Sequence, residues 1–337
     1  MANLTITRHN LVLLSDLPPN LVSLRCSNLG LTELPQLPIN LEVLDCENNE
    51  LTELPELPDS LKELYCSQNN LTQLPPLPKG LRILDCRLAY LYYLEDVPNN
   101  NRFVLPELPD TLIKLNCEDN RLTALPSQLP PGLEVLDCGG NQLTELPELP
   151  VTLEELYCGG NQLTELPKLP VTLEVLDCED NELTKLPSPL PVTLKKLDCS
   201  DNNGLHWLPN LPASLENLDV DINKLEIESL LQIQYIMINR SALINHGLNK
   251  YPQMIADRIR KLQPQKTAYL DIARANFYRN PRMTSIKVQD DLMRNIVRNL
   301  GTSEETLRFN GLGRKKKQSI KKKTKRKRVV KKKTRKY

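Results

Sequence analysis

Residues 146–165 read Leu146-Pro147-Glu148-Leu149-Pro150-Val151-Thr152-Leu153-Glu154-Glu155-Leu156-Tyr157-Cys158-Gly159-Gly160-Asn161-Gln162-Leu163-Thr164-Glu165, and Leu166-Pro167-Lys168-Leu169-Pro170 begins the same phrase again. The period of about 20 residues is marked by every cysteine in the chain: Cys26, Cys46, Cys66, Cys86, Cys117, Cys138, Cys158, Cys178 and Cys199. Their spacings are 20, 20, 20, 31, 21, 20, 20 and 21. A unit this short cannot bury its own apolar face, so successive units must stack around one shared core.

Written around its cysteine, the unit is L-x-x-L-x-C-x-x-N-x-L-T-x-L-P-x-L-P. In one copy these positions are Leu61, Leu64, Cys66, Asn69, Leu71, Thr72, Leu74, Pro75, Leu77 and Pro78. Leu64 and Cys66 alternate with polar or aromatic neighbours, the period of a short half-buried strand. Leu71, Leu74 and Leu77 then point inward from a return path. Pro75 and Pro78 keep that path extended, since proline lacks an N–H and holds φ near −65°. Stacked coils place their strands in parallel, about 4.8 Å apart.

The pattern resembles the leucine-rich repeat in its shortest, 20-residue form, as in secreted bacterial effectors. Cysteine-bearing versions also resemble leucine-rich-repeat proteins of giant DNA viruses of amoebae. The resemblance covers roughly residues 4–225. It implies an α/β-type repeat solenoid, a horseshoe of short parallel strands joined by extended Leu-Pro segments, and says little about function. It also implies a ladder of carboxamides at the turns, from Asn49, Asn69, Asn120, Asn141, Asn161, Asn181, Asn202 and Asn223. Leu29 and Ala89 interrupt that ladder, so their turns should be less well held.

Met1–Leu17 reads as a capping turn, with Ile6 at the cysteine position and His9 at the asparagine position. The long spacing from Cys86 to Cys117 places an insertion near 95–103. Val220 takes the last cysteine position. From about Ile227 prolines thin out and helical spacing begins, with further helical stretches expected over 253–262, 264–277 and 286–300. The expected organisation is a solenoid of about eleven coils over 1–225, a helical cap or small helical domain over 226–313, and a disordered polybasic tail over 314–337.

The net charge of +1 hides a strong asymmetry. Residues 1–225 carry 14 Lys/Arg against 34 Asp/Glu, and residues 314–337 carry 16 Lys/Arg and no acid. Such a split points to separate partners for the two ends, or to one end binding the other. No leader and no run of about 20 apolar residues is visible, so an intracellular protein is expected, cytoplasmic or nuclear, or in the host cell of a virus.

The cysteines form neither C-x-x-C pairs nor a set with the three scattered histidines, so packed, reduced thiols are expected. The residue before each cysteine projects outward onto the concave face. That column reads Arg25, Asp45, Tyr65, Asp85, Asn116, Asp137, Tyr157, Asp177, Asp198 and Asp219. Its acids and tyrosines, Asp45, Tyr65, Asp85, Asp137, Tyr157, Asp177, Asp198 and Asp219, are the candidate partner-binding residues. Like charges on consecutive coils repel, and a basic ligand, salt or a cation relieves the repulsion. A purely local hydrogen-bonding role for the aspartates is the competing reading.

No phosphate loop, zinc-protease helix or nucleophile elbow is present, so no catalytic residue, metal or cofactor is expected. The expectation is a non-enzymatic scaffold that binds a basic protein partner. The alternative is a nucleic-acid-associated or nucleus-targeted adaptor using the tail, in particular Lys321, Lys322, Lys323, Lys325, Arg326, Lys327 and Arg328.

Overall fold

The computed structural model describes residues 2–88, 103–226, 229–233, 254–255 and 257–258. The chain divides into two compact units, Met1–Pro252 and Gln253–Tyr337, and every described coil lies in the first. Each coil contributes one strand: β1 (Ala2–Thr5), β2 (Leu21–Arg25), β3 (Val43–Asp45), β4 (Glu63–Tyr65), β5 (Ile83–Asp85), β6 (Lys114–Asn116), β7 (Val135–Asp137), β8 (Glu155–Tyr157), β9 (Val175–Asp177), β10 (Lys196–Asp198) and β11 (Asn217–Asp219). They form a single parallel sheet in sequence order. The strands are three residues long from β3 onward; inter-coil bonds continue through N–H groups such as those of Cys46 and Asn48, and a left-handed residue then turns the chain away.

The core is a stack of columns. The middle strand residues Leu24, Leu44, Leu64, Leu84, Leu115, Leu136, Leu156, Leu176, Leu197 and Leu218 are buried, as are all nine cysteines. Ile6 and Val220 fill the cysteine position in the first and last coils and are also buried. The thiols do more than occupy space. Sγ of Cys158 lies 3.4 Å from the carbonyl of Asp177, and Sγ of Cys178 lies 3.3 Å from that of Asp198. A thiol is a weak donor, which valine of similar size is not. Burial pushes these thiols far above their ordinary pKa, so they stay protonated.

Two hydrogen-bond ladders clamp the coils. The Asn161 amide donates to the carbonyls of Cys138 and Cys158 at 3.0 and 3.1 Å, while its oxygen accepts the Leu143 N–H at 3.0 Å. Asn49, Asn69, Asn141, Asn181 and Asn202 bridge adjacent coils in the same way. The second ladder is of hydroxyls at the turn before the strand. Thr152, Thr172 and Thr193 each donate to two carbonyls of the preceding coil, and Ser60 and Thr111 repeat the contact.

Three expectations need correction. The Leu29 turn is held after all, because Asn49 of the next coil accepts the N–H groups of Leu29 and Leu31 at 3.0 Å. Asn223 is exposed rather than part of the ladder, and Ile222 beside it is buried instead. In the first coil Asn10, not His9, supplies the carboxamide, donating to the Thr5 carbonyl at 3.1 Å. A short 3-10 helix, Leu11–Ser15, follows it.

At the other end, 229–233 are helical and close the last coil. Leu230 and Ile233 are buried, the Ser229 hydroxyl accepts the Leu208 N–H at 2.8 Å, and the Gln232 side chain accepts the Leu211 N–H at 2.7 Å. In the second unit 254–255 and 257–258 are helical, inside the stretch expected over 253–262. The other expected helices, most of the 95–103 insertion, and the tail with Lys321–Lys323 and Lys325–Arg328 lie outside the described residues.

Candidate interaction face

Strand alternation fixes which side chains reach the open face of the sheet. From β2 onward the central leucine of each strand points inward, and the residues on either side of it are half-exposed or exposed. The register aligns the residue before the cysteine through the whole stack: Arg25 with Asp45, Asp45 with Tyr65, Tyr65 with Asp85, Asp85 with Asn116, Asn116 with Asp137, Asp137 with Tyr157, Tyr157 with Asp177, Asp177 with Asp198, and Asp198 with Asp219. All eight candidate residues therefore stand in one row, with three aspartates adjacent at its C-terminal end.

The aspartates also have a local task. The carboxylates of Asp137 and Asp198 accept the N–H groups of Gly139 and Ser200 at 3.2 and 3.1 Å, which ties down the chain where it leaves the strand. Asn116 accepts the Glu118 N–H at 3.1 Å in the same way, so charge is not needed for this bond. The remaining consequence of aspartate over asparagine is electrostatic. Burial, opposed by the Gly139 N–H and reinforced by Glu118, pushes the Asp137 carboxyl up to about 6. Burial raises Asp85 and Asp177 as well, and Asp198 adds to the rise at Asp177. These three carboxylates hold their negative charge at a cost, which an external cation would relieve.

The tyrosines are fixed in orientation. The Tyr65 hydroxyl donates to Glu63 at 3.2 Å, and the Tyr157 hydroxyl donates to Glu155 at 2.9 Å. Burial first, and then the paired glutamates, push both phenols up to about 12. Cationic side chains also belong to the face: Arg25 heads the row, and Arg87 bridges to Glu118 at 3.1 Å. Carboxylate oxygens of Asp177, Glu179 and Asp198 lie within 4.8 Å of one another and are the described residues best placed to hold a metal ion.

The turn that leaves the strand needs a left-handed residue, and Asn28, Asn48, Gln68, Asp119, Gly140, Gly160, Asp180 and Asp201 occupy it at φ between 46° and 63°. Gly140 is the most constrained, since an added Cβ would meet Asp119 Oδ1 at 2.0 Å.

The family pattern described as Leucine Rich Repeat matches residues 60–81. YopM from Yersinia enterocolitica is similar at 38% identity, over 61% of this chain and 48% of that one, with a TM-score of 0.52. YopM from Yersinia pestis, described as a leucine-rich effector protein, is similar at 34% identity over 58% of this chain and 70% of that one, with a TM-score of 0.42. The chain belongs to the leucine-rich-repeat family. Its repeats are of the short bacterial-effector type. The leucine-rich-repeat domain of a Shigella effector is similar at 26% identity, over 64% of this chain and 75% of that one, with a TM-score of 0.31. This chain spans about half the length of the Yersinia enterocolitica protein. No curated protein sequence matches it. The likeness to giant-virus proteins finds no support in these comparisons. A leucine-rich-repeat fold suggests a protein-interaction scaffold, and proteins of this family are in general not enzymes. Among the described residues no helix is long and apolar enough to cross a membrane.

Proposed function

We propose that this leucine-rich-repeat protein is a non-enzymatic scaffold that holds a basic protein partner on the open face of its sheet. The observation that supports this most is the aligned row from Asp45 to Asp219, where Asp177, Asp198 and Asp219 are direct strand neighbours. Mutual repulsion across one strand spacing costs stability, and a cationic surface converts that cost into affinity. Likeness to bacterial effectors supports a place of action inside a cell.

The test is the full chain titrated with a lysine-rich peptide at low and physiological ionic strength. Replacing Asp177→Asn, Asp198→Asn and Asp219→Asn together keeps the local hydrogen bonds, as Asn116 shows, and should weaken binding at least tenfold. Unchanged binding would overturn the reading. A second reading rests on sequence: the 16 Lys/Arg of 314–337, without an acid, suit phosphate neutralisation and a nuclear address. Loss of nucleic-acid retention on deleting 314–337 is its expected outcome.

A further inference from the structure

One place on the acidic face already has a cation against an aromatic ring. Nζ of Lys196, two coils further along, lies 6.0 Å from the centre of the Tyr157 ring. That is the outer limit of a cation–π contact. The ring is pinned from one end by its hydrogen bond to Glu155, so its face is presented in a fixed direction. Asp137 and Asp177 pair with Tyr157 on the strands to either side. Gly159 completes the arrangement. A Cβ there would stand 3.0 Å from Cγ of Glu179 and 3.3 Å from a carboxylate oxygen of Asp177, so glycine leaves these two acids uncrowded next to the row. The combination is an aromatic surface with carboxylates around it, and Lys196 shows that a cationic side chain fits against it.

We propose that Tyr157, Asp137 and Asp177 form the seat for an arginine side chain of the basic partner, and that Lys196 occupies this seat as an internal competitor until the partner displaces it. This inference rests on the basic-partner reading and deepens it. Arginine is preferred over lysine because its planar guanidinium stacks on an aromatic face while its edge donates to carboxylates on both sides. Lysine offers only a hydrated point charge. Tyr65 stands in the same row between Asp45 and Asp85 and bonds Glu63 in the same way, so it is a second seat of this kind, and among the described residues no cation lies against its ring.

The experiment uses the full chain and two synthetic peptides of equal length and charge, five Gly-Arg repeats and five Gly-Lys repeats, in fluorescence anisotropy. The arginine peptide should bind the native protein about 3- to 10-fold tighter than the lysine peptide. Measured in a Tyr65→Leu background, which removes the second seat, Tyr157→Leu should weaken the arginine peptide by a similar factor. Lys196→Met should tighten it about 3- to 10-fold, an effect that misfolding cannot imitate. Lys195→Met removes the same charge one residue away, where the lysine pairs with Glu174, and should act less than twofold. If neither peptide binds the native protein, both the basic-partner reading and this seat are overturned. If the triple aspartate variant loses binding while Tyr157→Leu and Lys196→Met leave it unchanged, the seat alone is overturned. Equal responses at Lys195 and Lys196 overturn it too.

Discussion

Asp137 shows how one residue serves two ends that oppose each other. Its carboxylate holds the Gly139 N–H, while its burial raises its pKa to about 6, above the ordinary value of 3.8. Between those values the folded state binds more protons than the unfolded chain, so stability falls as pH rises through about 4 to 6. Asp85 and Asp177 act in the same direction. Asp137→Asn keeps the hydrogen bond and removes the charge. We expect it to stabilise the protein at pH 7 by about 1 kcal/mol after solvent screening, with Tm up by about 2–4 °C, and to gain nothing at pH 4. Thermal melts of both proteins at the two pH values check this; a variant that melts lower at pH 7 would show that the charge is not strained. The cost of this carboxylate was not legible in the sequence. Strand alternation places the residue before the cysteine on the open face, but its burial depends on how closely the neighbouring coils crowd it, and Glu118 reaches it only once the stack exists.

At the scale of elements, the strand, the turn and the return path could be read from spacing because each residue type has a local reason to be there. Leucine and cysteine alternate for a strand, the asparagine marks the turn with its carboxamide, and proline favours an extended return. The hydroxyl ladder escaped that reading. Thr152, Thr172 and Thr193 look like ordinary turn residues, and their two acceptors belong to the preceding coil, about 20 residues back. The end of the stack was partly legible, since loss of the Leu-Pro phrase signals that something else must cover the last coil. Ser229 and Gln232 fill that role by taking the Leu208 and Leu211 N–H groups, while Leu230 and Ile233 cover the apolar edge. Truncation after Leu225 removes all four. We expect the shortened chain to melt earlier and aggregate, measured by light scattering during a thermal ramp. A melting profile equal to that of a chain ending at 252 would refute the capping role.

In the whole stack each strand pairs only with its neighbours, so stability is chiefly a chain of interfaces and the weakest one sets where the molecule opens. The interface between β5 and β6 is the candidate. The N–H two residues after the cysteine bonds the next coil at 2.7–3.1 Å in Asn28, Asn48, Gln68, Asp119, Gly140, Gly160 and Asp180. At Leu88 the same bond, to the Glu118 carbonyl, is 3.4 Å. Oδ1 of Asn120 is buried there without a hydrogen bond, and so is Nε of Arg87, whereas the equivalent oxygens of Asn141, Asn161, Asn181 and Asn202 each accept an N–H from the preceding coil. An unpartnered buried polar atom costs about 1–3 kcal/mol. Opening at this interface should therefore precede opening elsewhere. In native-state hydrogen exchange the amides of Cys86 and Leu88 should exchange at least tenfold faster than those of Cys158 and Gly160 at the same positions of a regular coil. Equal protection at the two places would mean that the sheet hydrogen bonds alone hold the β5–β6 interface, and that the missing partners cost the stack nothing.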